Sequence, residues 1–282
     1  MSTPLKKLTL TVLLYTLSTL VFSQSLRHPV SAVYLGLAAY STQHQDVFSY
    51  LNNQASLAQI KNIAVGVYGE RKFLVTATSL YTEALAIPTK NGNFGINLTY
   101  SGFKNFNESQ IGLAYARSLG KKVDVGAQFN YYSYRVPSFS GAATYNFEMG
   151  AIFHVTDKLN MGVHLYNPAG GHFSKTDEKL TSAFKIGIGY DVSDNFFVSS
   201  EIVKEENFPV NSNTGVQYRF EKQFFLRLGI ATATSTGYAG IGISWDNFRM
   251  DITGSYHPQL GLSPGLLLIM NFGKPAFTII NE

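Results

Sequence analysis

Long stretches of this chain alternate strictly between large apolar and polar or small residues. Val123-Asp124-Val125-Gly126-Ala127-Gln128-Phe129-Asn130-Tyr131 is one such run. Phe184-Lys185-Ile186-Gly187-Ile188-Gly189-Tyr190 is another, and Ile111 to Tyr115, Tyr145 to Met149, Leu159 to Leu165 and Phe248 to Ile252 repeat the pattern. A period of two belongs to β-strands whose faces meet different surroundings. One set is Leu, Ile, Val, Phe, Tyr and Met. The other is Gly, Asn, Gln, Lys, Glu, Arg, Asp and His.

Alternation alone does not say which set points inward. A soluble barrel or sandwich buries the apolar set; a membrane barrel turns it outward to lipid and lines its lumen with the polar set. Three other features favour the membrane barrel. Lys6 and Lys7 precede an apolar stretch, Leu8 to Phe22, which ends at Ser23, the pattern of a secretory leader cut between Ser23 and Gln24. The apolar run is short for a spanning helix, and the rest of the chain contains none longer. Charged residues make up only 14%, against about 25% in soluble domains, while the chain holds 17 Tyr, 21 Phe and 25 Gly. Aromatics such as Tyr115, Tyr131, Tyr190, Trp245 and Phe272 sit at predicted strand ends, where interface girdles belong.

The connections support the same reading and give a direction. About fourteen strands are predicted, near 63–70, 73–86, 93–102, 109–118, 122–135, 143–155, 158–167, 182–192, 195–204, 212–220, 223–232, 237–245, 248–257 and 263–272; the first two hairpins are less distinct, which leaves twelve open. From the fourth strand on, tight turns at 119–121, 156–157, 193–194, 221–222 and 246–247 alternate with longer connections at 136–142, 168–181, 205–211, 233–236 and 258–262. Outer-membrane barrels have short periplasmic turns and longer outer loops, so both termini are expected in the periplasm. The predicted organisation is a leader (1–23), an N-terminal periplasmic or hatch segment (24–61) placed to fold into the lumen, an all-β transmembrane antiparallel barrel (62–273) and a tail (274–282).

The segment before the first strand carries a resemblance. Leu35-Gly36-Leu37-Ala38-Ala39-Tyr40, then Asp46, then Asn53-Gln54-Ala55-Ser56-Leu57-Ala58 resembles the opening of FadL-type outer-membrane proteins, with Gln54 where that family has Pro. Gly36, Asp46, Asn53, Ala55, Leu57 and Ala58 carry the match. Downstream, Gly92 to Tyr100 and Phe248 to His257, with Leu260, Gly261 and the strand to Phe272, are similar to the PorV/PorQ branch in Bacteroidetes. The resemblance implies a fourteen-stranded barrel with a hatch. It also implies one of two roles: an adaptor in type IX secretion, with secretion proteins as partners, or a transporter of hydrophobic molecules.

Little points to catalysis. There is no Cys, hence no thiolate chemistry. His154 and His164 are placed to pair across the predicted turn at 156–157, but no further metal ligands cluster with them. No nucleophile motif accompanies the Ser and His residues. Gly187-Ile188-Gly189 and Gly240-Ile241-Gly242 lie in strands, with no following helix to bind phosphate; glycines there leave room in the lumen for other side chains or the hatch. Without the leader lysines, 20 basic residues face 18 acidic ones, too balanced for nucleic acid. No cofactor and no enzymatic role are expected.

The predicted lumen face includes Asn97, Asp124, Gln128, Asn130, Glu148, His164, Lys185, Glu201, Gln217, Arg219, Arg227, Arg249 and Asp251. Its mixed signs form a charge-paired filling in one reading and a permeation path in another; they define no ring of one charge. A hydrophobic ligand (or a detergent molecule in its place) is expected near loops or hatch, with Phe139, Phe173 and Leu260 as contacts, and outer-membrane lipid around the wall.

Overall fold

The alternating runs become strands that close on themselves. The computed structural model describes residues 37–136, 139–173, 179–221 and 223–273. The predicted leader, its cleavage site, Gly36 and the tail lie outside the described residues. The strands are β1 (Ile63–Arg71), β2 (Ser79–Thr89), β3 (Gly92–Phe103), β4 (Phe106–Ser118), β5 (Val123–Val136), β6 (Phe139–His154), β7 (Leu159–Tyr166), β8 (Ala183–Ser193), β9 (Phe196–Glu205), β10 (Asn211–Phe220), β11 (Phe224–Ala231), β12 (Thr236–Trp245), β13 (Phe248–His257) and β14 (Gly261–Phe272). Each pairs antiparallel with its chain neighbours, and β1 pairs with β14 from Ile63 opposite Phe272 to Glu70 opposite Gly265, so the barrel has fourteen strands and no free edge.

The wall is inside-out for a protein in water. On β8, Phe184, Ile186, Ile188 and Tyr190 point out while Lys185, Gly187, Gly189 and Asp191 are buried. Ile241 and Ile252 are exposed by 61% and 63%, whereas Asp251 on the other face is fully buried. Each large apolar side chain left in water forgoes about 1.5–3 kcal/mol. Dozens do so on this wall, and that total decides the surroundings: they are hydrocarbon.

Two boundaries differ from the sequence expectation. Residues 72–78 are not strand; they form two short 3-10 turns, Lys72–Leu74 and Thr76–Thr78. Phe73 and Leu74 there both have left-handed backbone (φ 55° and 58°), which no strand accommodates. The expected loop 136–142 is mostly ladder, because β5 and β6 pair as far as Val136 opposite Phe139, across a register shift between Tyr134 and Val136. The longest connection, 167–182, packs Phe173 and Leu180 against Tyr132, Ala142, Tyr166 and Ala183.

Residues 37–60 lie inside the short-turn half of the barrel. They form three 3-10 turns, Leu37–Tyr40, Ser49–Leu51 and Gln54–Gln59. Val47, Phe48, Tyr50 and Leu57 pack with Ala64, Tyr68, Leu80, Leu267 and Ile269 of β1, β2 and β14. This explains why β14 is apolar on both faces: one meets lipid, the other meets the inner segment.

Candidate functional site: a lumen filled by an inner segment

Glycines at inward positions make the bed on which the inner segment lies. A Cβ on Gly126 would stand 2.5 Å from the backbone carbonyl of Gln54, and one on Gly162 2.6 Å from the Tyr40 ring. Gly187 and Gly189 face the same tyrosine, and Gly66 faces Phe48. A strand glycine where another backbone approaches closely is the expected use of that residue.

Wall carboxylates then hold the segment by its polar groups. Asp191 accepts hydrogen bonds from Ser41 Oγ (2.6 Å), Thr42 Oγ1 (2.7 Å) and Thr42 N (2.9 Å). Glu201 accepts from Tyr40 Oη (3.2 Å), Asn52 Nδ2 (2.9 Å) and Asn213 Nδ2 (2.9 Å), while Lys185 Nζ donates to Asn52 Oδ1. Glu148 takes Gln54 Nε2 (2.8 Å), His164 Nε2 (2.9 Å) and Asn130 Nδ2 (2.8 Å). Gln59 Nε2 donates to Asp124 Oδ2 (2.7 Å). The four carboxylates are buried, and a buried acceptor left without its donor costs about 1–3 kcal/mol, so the segment and the wall complete one another.

Backbone geometry does the rest. Asn53 caps the Gln54–Gln59 turn: its Oδ1 accepts from Ala55 N (3.1 Å) and its Nδ2 donates to Val163 O (3.1 Å). Gln54 is the first residue of that turn, a position where the missing N–H of Pro is harmless. Gln54 at this position leaves the turn intact and adds the bond to Glu148. On the wall, Asn93 Nδ2 donates to Leu57 O (2.7 Å) and Ile60 O (2.8 Å). Tyr50 Oη donates to Ile96 O (2.8 Å), and burial pushes its pKa upward, so it stays a donor.

Facing β10–β13 the arrangement changes from amide contacts to charges. Asp46 accepts from Arg249 Nη1 (3.1 Å). Arg249 also donates to Asp251, through Nε to Oδ1 at 3.0 Å, and its guanidinium lies 5.0 Å from the centre of the Phe225 ring. Asp251 in turn accepts from Arg227 Nη1 (3.3 Å), and Arg227 Nε donates to Gln217. Below this chain, at the short-turn end, lies a cavity of about 310 Å³ bordered by His44, Gln45, Asp46, Arg219, Ser244 and Arg249. Burial pushes the His44 pKa down to about 4; Asp191 opposes this and Arg219, Arg227 and Arg249 add to it, so His44 is neutral at pH 7.

The residues singled out from sequence fall as follows. Asp46, Asn53, Ala55, Leu57 and Ala58 all belong to the inner segment. Asn97, Asp124, Gln128, Asn130, Glu148, His164, Lys185, Glu201, Gln217, Arg227 and Asp251 are buried in the lumen, with Arg219 and Arg249 half-buried at its short-turn end. Phe173 is buried beneath the 167–182 connection, Leu260 is exposed between β13 and β14, and Phe139 opens β6. His154 and His164 do not pair: His154 Nε2 meets Asp124 Oδ2 at 2.7 Å and His164 meets Glu148, because the register sets His154 opposite Asn160. Among the described residues no three His, Asp or Glu side chains are grouped to hold a metal. Sequence reasoning named Tyr40 and Gln54 only as members of the resembling motif and missed Asn52 and Asp191; the resemblance and the inward glycines were the signals that something fits against the wall.

No protein-family model and no curated protein sequence matches this chain. Solved structures do. The toluene transporter TodX of P. putida superposes with a TM-score of 0.63 at 10% identity, over 87% of this chain and 98% of its own. The Ralstonia pickettii toluene transporter TbuX gives 0.59 at 13% identity, over 90% and 100%. A Pseudomonas aeruginosa FadL homologue gives 0.52 at 11% identity, over 80% and 93%. This chain has the fold of a FadL-type barrel. At such identities the likeness speaks to fold alone.

Proposed function

We propose that the protein is an outer-membrane channel for small hydrophobic molecules, and that residues 24–61, after removal of a leader ending at Ser23, act as its hatch. The observation that carries this reading is the lumen itself: a closed, lipid-facing wall whose interior is filled by a separate stretch of the same chain. A filling that contributes no strand adds nothing to closure of the wall. It is suited to regulate passage. The similar structures supply the solute class, since two of those named above are toluene transporters.

The secretion-adaptor role implied by the PorV/PorQ resemblance finds no counterpart in these structures, and no described feature favours it. One experiment tests the transporter reading. Cells with an intact lipopolysaccharide layer, lacking other hydrocarbon channels, produce the protein, and uptake of labelled toluene is followed. Faster uptake than in empty-vector cells supports it. Unchanged uptake, together with stoichiometric co-purification of secretion proteins from native membranes, would replace it with the adaptor role.

A further inference from the structure

The inner segment is held unevenly. Against β3–β9 it is fixed by amide, hydroxyl and backbone contacts to Asn93, Asp124, Glu148, Asn160, Asp191 and Glu201, with glycines beneath it. Phe48 and Val47 seat it on β1 and β14. Towards β10–β13 the described contacts thin to Leu37 against Gly215 and the Asp46–Arg249 pair, and here the 310 Å³ cavity lies. A second gap on the same side, of about 20 Å³, is bordered by Leu37, Gly215 and Arg227.

Between the two gaps runs the chain of side chains from Gln217 through Arg227, Asp251 and Arg249 to Asp46. It crosses from β10 to β13 and ends on the inner segment. It passes over β12 because Gly242, opposite Asp251 in the ladder, has no side chain; a Cβ there would strike Asp251 Oδ1. The wall beside it carries Gly215, against which Leu37 packs, and Gly229.

We infer that solute passes along the β10–β13 side of the inner segment, and that the Gln217–Arg227–Asp251–Arg249–Asp46 chain is the bar that closes this route, with Arg249 as its latch. The inference deepens the channel reading and rests on it. Arg249 suits a latch because it grips the moving part (Asp46) and the wall (Asp251) at once. A guanidinium offers five donors in a rigid fork, enough for both carboxylates. Releasing Asp46 frees one end of the bar without unpairing Asp251, which keeps Arg227.

The chain has no Cys, so single thiols report cleanly. Purified protein is placed in planar lipid bilayers with potassium chloride as the probe. Arg249→Gln and, independently, Gly242→Ala are expected to raise mean conductance about tenfold, the factor that about 1.4 kcal/mol of lost closing energy gives. A bulky thiol label on Ser244→Cys, which borders the cavity, is expected to abolish that increase. The same label on Lys121→Cys, in a turn at the same end beside the tightly held part, leaves it. Folding is checked by heat-dependent mobility on gels. Folded Arg249→Gln and Gly242→Ala proteins that both conduct like wild type would overturn the route, as would block from Lys121→Cys and not from Ser244→Cys. Toluene uptake in cells separates the two ideas. If wild type takes up toluene and neither variant alters uptake or conductance, the bar is wrong and the channel stands. If the variants conduct but no form takes up toluene, the route stands and the solute class is wrong.

Discussion

At the scale of single residues, buried groups are chosen for what they must not do. His44 is held neutral in a pocket where a proton would meet Arg219, Arg227 and Arg249. Its pKa falls from 6.5 in the free state to about 4 when the segment is docked. The released form therefore binds a proton that the docked form refuses, and docking weakens as pH falls from about 6.5 to about 4, with no further loss below. The limit is up to about 3 kcal/mol. Protease cleavage within the inner segment should rise over that window in wild type and stay flat in His44→Gln; parallel curves would remove His44 as the cause. Gly126 works by absence. The carbonyl of Gln54, which a Cβ there would strike, is backbone and has nowhere to go. Gly126→Val should leave the barrel folded but expel the segment, seen as raised potassium chloride conductance at unchanged heat-dependent mobility.

At the scale of elements, strands were readable one by one, whereas the inner segment was legible as a hatch and not in how it docks, and the reason is physical. A strand facing lipid on one side and polar lumen on the other must alternate, so Phe184 to Tyr190 announces itself in seven residues. A 3-10 turn of three to six residues has no period long enough to see, and Leu37–Tyr40, Ser49–Leu51 and Gln54–Gln59 are built from contacts with strands a hundred residues away. Where strand propensity and backbone conflict, as at Phe73 and Leu74, the pattern misled and the strand began at Ser79 instead. The Gln54–Gln59 turn is tied down by its cap. Asn53→Ala removes the bond to Ala55 N and the bond to Val163 O together, a loss of about 1–3 kcal/mol for a buried cap with a second partner. Hydrogen exchange at 54–59 should speed up while the strands keep their protection; exchange that rises across β6 and β7 as well would mean that Asn53 supports the wall and not only the turn.

At the scale of the whole molecule, one closed surface separates two solvents, and the two faces should respond oppositely to the same change. Ile241, on the outer face of β12, is 61% exposed and next to Ile252 in the ladder. Its strand neighbour Gly242 faces the lumen beside Asp251. An arginine at 241 must enter hydrocarbon, which costs about 2–4 kcal/mol near the midplane and little near the interfaces. An arginine at Ser244, three residues on, faces the polar cavity, where Asp46 and Asp246 offset Arg219 and Arg249. Ile241→Arg should therefore lower the urea midpoint for folding into lipid vesicles markedly, while Ser244→Arg should shift it little and instead narrow the route beside the inner segment. In a soluble barrel the ranking reverses, because an exposed arginine at 241 would sit in water at no cost. A measured midpoint for Ile241→Arg equal to wild type would thus overturn the inside-out reading of the wall, on which the channel, its hatch and its bar all depend.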